Sequence, residues 1–279
     1  MAPPIRPLAE ADLDAACALS AAAGWNQTAA DWRIFLRDGH AWGIEADGEL
    51  AASAAVLPFG PKVAWVSMVL TLPGHRGRGF ATALTAHALA ALAASGHRAV
   101  LDATPLGQPV YAKLGFAPCW SFRRWRLDAT GGAVPGVRPL RPADWPEVLA
   151  LDAAANGFPR ERLLRAIAAR KPAAARVAVA GGRIDGFALA RDGRLAPQIG
   201  PVIARDGRSA QRLIAAALAA LPAGQSVVID LADAQAELAA WLAGRGASPQ
   251  RPFTRMAMGT APLPGDASLI VAPVGPEFG

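Results

Sequence analysis

Apolar and polar positions along the first half of the chain alternate between two periods, and the switches mark out its elements. Residues 5–8 form a short extended run. Asp12 then stands ahead of apolar residues at helical spacing, an acidic helix start. A second helix is expected from Thr28, where Asp31 three residues on makes an acidic version of the capping box. Residues 41–46 and 50–57 read as two strands around the turn Asp47-Gly48, and residues 62–72 as a third. Residues 80–94 form a long alanine-rich helix stopped by Ser95-Gly96. A buried strand (99–103), a short helix around 110–113 and a final strand (117–127) complete the block.

The opening pattern comes twice. Ile5-Arg6-Pro7-Leu8-Ala9-Glu10-Ala11-Asp12 recurs as Val137-Arg138-Pro139-Leu140-Arg141-Pro142-Ala143-Asp144, and Leu19 falls opposite Leu151. Between the copies, residues 128–136 are rich in turn formers and have little to bury. The expected organisation is therefore α/β in two tandem domains: 1–128, a linker at 129–136, a second domain at 137–260 and a tail at 261–279. The tail is apolar but broken by proline and glycine, so it is expected to dock along a surface rather than form a helix.

Composition narrows the function classes. With 279 residues, 53% of them hydrophobic, there is material for two cores. Net charge is +6, which favours anionic partners. The arginines are scattered, however, and Arg123-Arg124-Trp125-Arg126 alternates like the exposed face of a strand. Nucleic-acid binding rests on charge alone, with no recognition-helix pattern, and is not expected. Cys17 and Cys119 lack neighbours at metal-ligand spacing and read as small buried hydrophobes, so no metal is expected. The N-terminus lacks a signal-peptide layout and no apolar run is long enough to span a membrane. These features imply a cytoplasmic protein without membrane contact.

The candidate chemistry begins at Leu72-Pro73-Gly74-His75-Arg76-Gly77-Arg78-Gly79-Phe80-Ala81. Here a strand ends in a loop dense in glycine and arginine and a helix starts. Backbone N–H groups, the helix N-terminus and the arginines together suit a pyrophosphate, although such a turn can also be purely structural. Further on, Tyr111-Ala112-Lys113-Leu114-Gly115-Phe116 contains the sole tyrosine of the chain. The two segments together resemble the GNAT family of N-acetyltransferases, whose Arg/Gln-x-x-Gly-x-Gly/Ala motif matches residues 76–81. The resemblance covers residues 5–127, and Gly24-Trp25-Asn26-Gln27-Thr28 and Leu101-Asp102-Ala103-Thr104-Pro105 resemble a tandem-GNAT subgroup.

That resemblance implies two GNAT-like domains, each a mixed, mostly antiparallel sheet flanked by helices. It also implies acetyl-coenzyme A as cosubstrate and a primary amine of a small molecule or peptide as acceptor. Arg76, Gly77, Arg78, Gly79, Phe80 and Ala81 would cradle the pyrophosphate. The backbone of Met68, Val69 and Leu70 would pair with pantetheine. Tyr111 would protonate the departing thiolate, unless it simply packs between helix and sheet. Many members carry asparagine where this chain has Thr104, which can still contact the cofactor. The candidate bases are Asp102, Glu45 and Asp31, each with a structural alternative, and the family also uses water relays. Trp25, Asn26 and Gln27 border the acceptor site in such a fold, or staple the second helix. His75, His87 and His97 sit in or near exposed segments and take no role.

The second copy loses both features. Its turn, residues 203–209, keeps one glycine, Asp206 there would repel phosphate, and Leu242 stands where the first copy has Tyr111. It is expected to be structural or to cover substrate. An alternative function for the whole chain is a catalytically silent acyl-coenzyme A sensor.

Overall fold

The structure, a computed structural model, describes residues 4–132 and 134–279; Met1, Ala2, Pro3 and the expected linker residue Ala133 lie outside it. In the first copy, β1 (Ile5–Pro7) leads through a 3-10 turn to α1 (Leu13–Ala22), then α2 (Ala29–Asp38). Asp31 accepts the Thr28 amide at 2.7 Å, so the capping box starts α2 where the sequence places it. Next come β2 (His40–Ala46), β3 (Glu49–Phe59), β4 (Val63–Thr71), α3 (Phe80–Ala94) and β5 (Arg98–Ala103). The strands pair in chain order, antiparallel except for the last pair, β4 with β5. Ala51, Ala52, Ala54 and Ala55 of β3 are completely buried, because α1, α2 and α3 all pack on this strand. Alanine is what fits there: a small side chain lets helices approach a strand covered on both faces.

The chain continues through α4 (Gln108–Lys113), β6 (Phe116–Asp128), β7 (Val137–Pro139), α5 (Trp145–Asn156), α6 (Glu161–Arg170), β8 (Arg176–Ala180), β9 (Arg183–Arg191) and β10 (Gln198–Ala204). It ends in α7 (Gly207–Ala219), β11 (Ser226–Ala232), α8 (Ala236–Ala243), β12 (Ser248–Met258) and β13 (Ile270–Ala272). Strands β7 to β11 repeat the pairing scheme of β1 to β5, again with a single parallel pair, β10 with β11.

The compact units do not divide at residues 129–136. One gathers the described residues up to Leu101 with Gly193–Leu195 and Phe278; the other holds nearly all the rest. The reason is β6, the last strand of the first repeat, which lies between β11 and β12 in register with both. Ala129 is correspondingly buried and bonds to Gln225, so this part of the expected linker is packed. Three other expectations are corrected. Arg124 points inward, 5% exposed and paired with Asp230, because β11 covers that side of β6. Cys119 is exposed. The second half of the tail is interior: residues 261–269 are mostly exposed, but β13 pairs with β10, and residues 270–274 are buried because their apolar run takes a strand position.

Each copy opens with the same lock. Arg6 donates to both carboxylate oxygens of Asp12 at 3.1 and 2.7 Å, and Arg138 to both of Asp144 at 2.6 and 2.8 Å. Each carboxylate also accepts the amide three residues before it, from Ala9 and Arg141. The facing arginine, chiefly through its hydrogen bonds, holds both carboxyls below their ordinary range. An aspartate with a lowered folded pKa stabilises the fold above its unfolded value of 3.8, and that contribution is lost as pH falls through the folded value. Asp144→Asn should therefore cost about 1 kcal/mol near neutrality. The gap between the urea midpoints of wild type and variant should close in acid; a gap independent of pH would show that the charge contributes nothing.

Candidate active site

Within the first unit, β4 carries a bulge. Its register with β3 shifts between Ser53 and Ala55, so Met68 and Val69 have no direct partners, and Met68 takes a left-handed conformation with φ 52°. A non-glycine residue with positive φ is strained and needs its surroundings to hold it. Ser53 does so by donating its hydroxyl to the Met68 carbonyl at 2.8 Å, and the Met68 side chain is fully buried. β4 pairs with β5 only from Val63 to Trp65, whose partners are Arg98 to Val100. From Val66 to Thr71 it is paired on its β3 side alone. The opposite backbone edge at Met68, Val69 and Leu70 is therefore unpaired with β5. At its end, the Thr71 hydroxyl oxygen is buried without a hydrogen-bond partner among the described residues.

The strand runs into the glycine turn. Gly77 and Gly79 have φ 76° and 81°, which an L side chain rarely adopts, although a Cβ at either would meet open space. Backbone conformation, not crowding, selects glycine here. Gly79 caps α3 without any side-chain acceptor, and the first turn of α3 holds no acidic residue, so its N-terminal amides remain open. Arg78 is fixed beside them: it donates to His75 Nδ1 at 2.8 Å and Asp47 at 3.2 Å, and lies 4.9 Å over the Phe80 ring. Phe80 itself is a core side chain, so only its backbone faces the turn. Arg76 is exposed. His75 is 6% exposed, contrary to the surface position expected of it, because its other nitrogen is held by Glu49 at 3.0 Å.

Trp25, Asn26 and Gln27 also lie in this unit. Asn26 is buried and accepts from Leu195 N through its side chain and from Arg194 N through its carbonyl, both at 2.8 Å. Arg194 Nε reaches the Trp25 carbonyl at 2.9 Å. Asn26 is thus committed to holding Gly193–Leu195. The Gln27 side-chain oxygen is buried without a hydrogen-bond partner among the described residues.

In the second unit, Tyr111 stands on α4, half-buried, with its ring edge-on to Phe116 at 5.9 Å. Its hydroxyl makes no hydrogen bond among the described residues. Burial pushes its pKa up to about 12. Gly107, at the start of α4, leaves room for the ring; a Cβ there would come within 3.0 Å of it. Thr104 accepts the Gly107 amide at 3.3 Å and so shapes the turn into α4.

The three carboxylates considered as bases are all engaged. Asp102 is clamped by Arg255 through two bonds of 2.9 Å, its side chain fully enclosed. Burial raises its carboxyl above the ordinary range, and Arg255 pulls it back. Glu45 is exposed and pairs with Arg6, and Asp31 caps α2. Among the described residues no cluster of His, Cys, Asp or Glu could hold a metal ion, and no helix is long and apolar enough to cross a membrane. Sequence patterns missed Arg255, Arg194, Ser53 and Thr71. A glycine-arginine turn after Asp192 was the one local signal for Arg194.

Two family models match the chain, both described as acetyltransferase (GNAT): one over residues 12–116 and the other over 148–272. The chain belongs to the GNAT acetyltransferases, with two such domains in tandem, and is an acyltransferase. Among solved structures, an inferred acetyltransferase from Pyrococcus horikoshii is 20% identical, with a TM-score of 0.81 over 99% of this chain and 95% of that one. A GCN5-related N-acetyltransferase from Sphaerobacter thermophilus is 18% identical, with a TM-score of 0.66 over 95% and 98%. A tandem GNAT protein from the clavulanic acid biosynthesis pathway is 19% identical, with a TM-score of 0.62 over 92% and 99%. At these identities the likeness is one of fold. No curated protein matches the chain.

Proposed function

We propose that the first copy transfers an acetyl group from acetyl-coenzyme A to a primary amine of a small molecule or peptide, by direct attack and in the cytoplasm. The observation that carries this is the opened edge of β4 running into an uncapped, arginine-flanked helix N-terminus. An anionic pyrophosphate suits the amides of Gly77 to Ala81 with Arg76 and Arg78. An amide-bearing pantetheine suits the unpaired backbone of Met68, Val69 and Leu70, where the bulge turns a peptide group out of the ladder. Thr71 and Thr104 offer further hydroxyls.

The amine nitrogen attacks the thioester carbonyl carbon, the C–S bond breaks, and Tyr111 gives its proton to the leaving sulfur. A phenol that stays neutral well above pH 7 is suited to be that donor. Asp102 positions rather than accepts a proton, since Arg255 holds both its oxygens, which leaves the amine's proton to water. Trp25 and Gln27 remain candidates for the acceptor side, and Asn26 shapes that loop.

Acetyl-coenzyme A at 100 times its Kd should stabilise the full chain by about 2.7 kcal/mol, seen as a rise of several degrees in Tm. Arg76→Glu with Arg78→Glu should abolish the rise without lowering the unliganded Tm by more than a degree or two, since both side chains are exposed. A rise that survives both reversals would remove the turn from the binding site. An amine and peptide-terminus library assayed for thiol release would then identify the acceptor. Thioester binding with no acceptor and no hydrolysis above background would favour a silent sensor.

A further inference from the structure

The second copy preserves the backbone device of the first. In β4 the bulge lies between Ser67 and Leu70, opposite Ala55 and Ser53; in β10 it lies between Ile199 and Val202, opposite Ala190 and Ala188. Ser67 and Leu70 are related to Ile199 and Val202 by the same offset that relates Ile5 to Val137. β10 pairs with β11 only at Gln198 and Ile199, so these strands also separate at the bulge. The second copy therefore opens the same kind of edge as the first.

Here the edge is not free. β13 runs antiparallel along it, with Ala272 opposite Val202 and Ile270 opposite Ile203, and packs on β11 as well. Val202 and Ile203 correspond to Leu70 and Thr71. Ile270, Val271, Ala272 and Val274 are each at most 5% exposed. The segment is seated backbone to backbone: a Cβ on Gly200 would fall 2.2 Å from the Pro273 carbonyl oxygen. It is also anchored, by Gln198 donating to the Val274 carbonyl at 3.3 Å and by the fully buried ion pair of Glu277 with Arg191.

The helix N-terminus is filled independently. Where α3 begins at a bare glycine, α7 begins at Asp206, whose carboxylate accepts the Ser209 amide at 2.8 Å. That bond holds the Asp206 carboxyl below its usual range. A carboxylate thus occupies the position a phosphate would take.

We propose that the cleft between β10 and β11 is a strand-binding groove whose resident ligand is the chain's own segment 270–274, and that the second copy takes no acyl thioester. The proposal rests on the function given above only for where such a thioester lies in a GNAT-like copy. A backbone edge opened by a bulge accepts any extended chain that offers amide and carbonyl groups, peptide or pantetheine alike. In this protein the peptide has the advantage of being tethered.

Calorimetric titration of the full chain with acetyl-coenzyme A, combined with amide exchange read by mass spectrometry, tests this. One equivalent should bind, and residues 66–81 should gain protection on saturation. Residues 198–204 and 270–274 should already exchange at least roughly 100-fold slower than an unstructured chain, and should not change. A second equivalent, or ligand-dependent exchange at 270–274, would overturn the proposal and leave the first cleft's role intact. No binding with slow exchange at 270–274 would sink the role given to the first cleft and sustain the tail as the groove's occupant. Fast exchange at 270–274 in the free protein would overturn the proposal whatever the titration gave.

Discussion

Replacing Tyr111 with phenylalanine should slow turnover roughly 100-fold while leaving acetyl-coenzyme A affinity within a few-fold, the signature of a lost general acid. The substitution removes one hydroxyl and almost no volume, and that hydroxyl bonds to nothing else among the described residues, so the fold should not notice. The pH dependence gives a second handle. With its pKa at about 12, raised by burial, the phenol remains a proton donor through the neutral and mildly alkaline range. The rate profile should show no loss from this group below that value. Its effect on stability has the matching sign: the raised pKa contributes fully below the unfolded value of 10.0, and the contribution is lost as pH rises through about 12. An alkaline limb near neutrality that disappears in Tyr111→Phe would mean the hydroxyl titrates far lower than its surroundings dictate. Equal turnover by both proteins on a confirmed acceptor would end the general-acid role.

The second large effect concerns Asp102. Asp102→Ala should destabilise the chain by about 3–5 kcal/mol, because it removes the carboxylate that accepts two guanidinium bonds from a buried Arg255. Arg255 is 2% exposed and lies 4.3 Å over the Trp120 ring, so it has no route to water without repacking. Exchanging both partners, Asp102→Leu with Arg255→Met, should recover most of the stability, since it removes both charges and keeps the volume. The double variant also decides chemistry. If Asp102 only positions its surroundings, the folded double variant should keep turnover within a few-fold of wild type. A well-folded double variant that is inactive would restore Asp102 as the base.

How much of this could be read from the sequence follows from the range of each interaction. The start of α2 was legible because Thr28 and Asp31 are three residues apart. Both ends of α3 were legible because its glycines and alanines act locally. The arginine-glycine turn and Tyr111 were legible as a spaced pair. The partner of Asp102 was not, since Arg255 lies on β12, 153 residues further along the chain. The pairing of β6 with β11 also misled the reading of Arg124, whose alternation is real but whose face is set by a strand about a hundred residues later. The strain at Met68 leaves no trace in side-chain pattern, because methionine carries no preference for positive φ. Proline and glycine in the tail suggested a surface path; the short apolar run between them proved long enough for a strand.

The lock between strand arginine and turn aspartate speaks to ancestry. Arg6 with Asp12 and Arg138 with Asp144 use the same atoms, the same spacing and the same backbone amide donor three residues before the carboxylate. A duplication that copied a working lock accounts for the pair more simply than two separate inventions. The two halves now differ at the turn, where α3 starts from Gly79 and α7 from Asp206, and in β13, which pairs only in the second. The kinship of the second half with the first is therefore written in residues such as Arg138 and Asp144, which keep their geometry where the glycine turn does not.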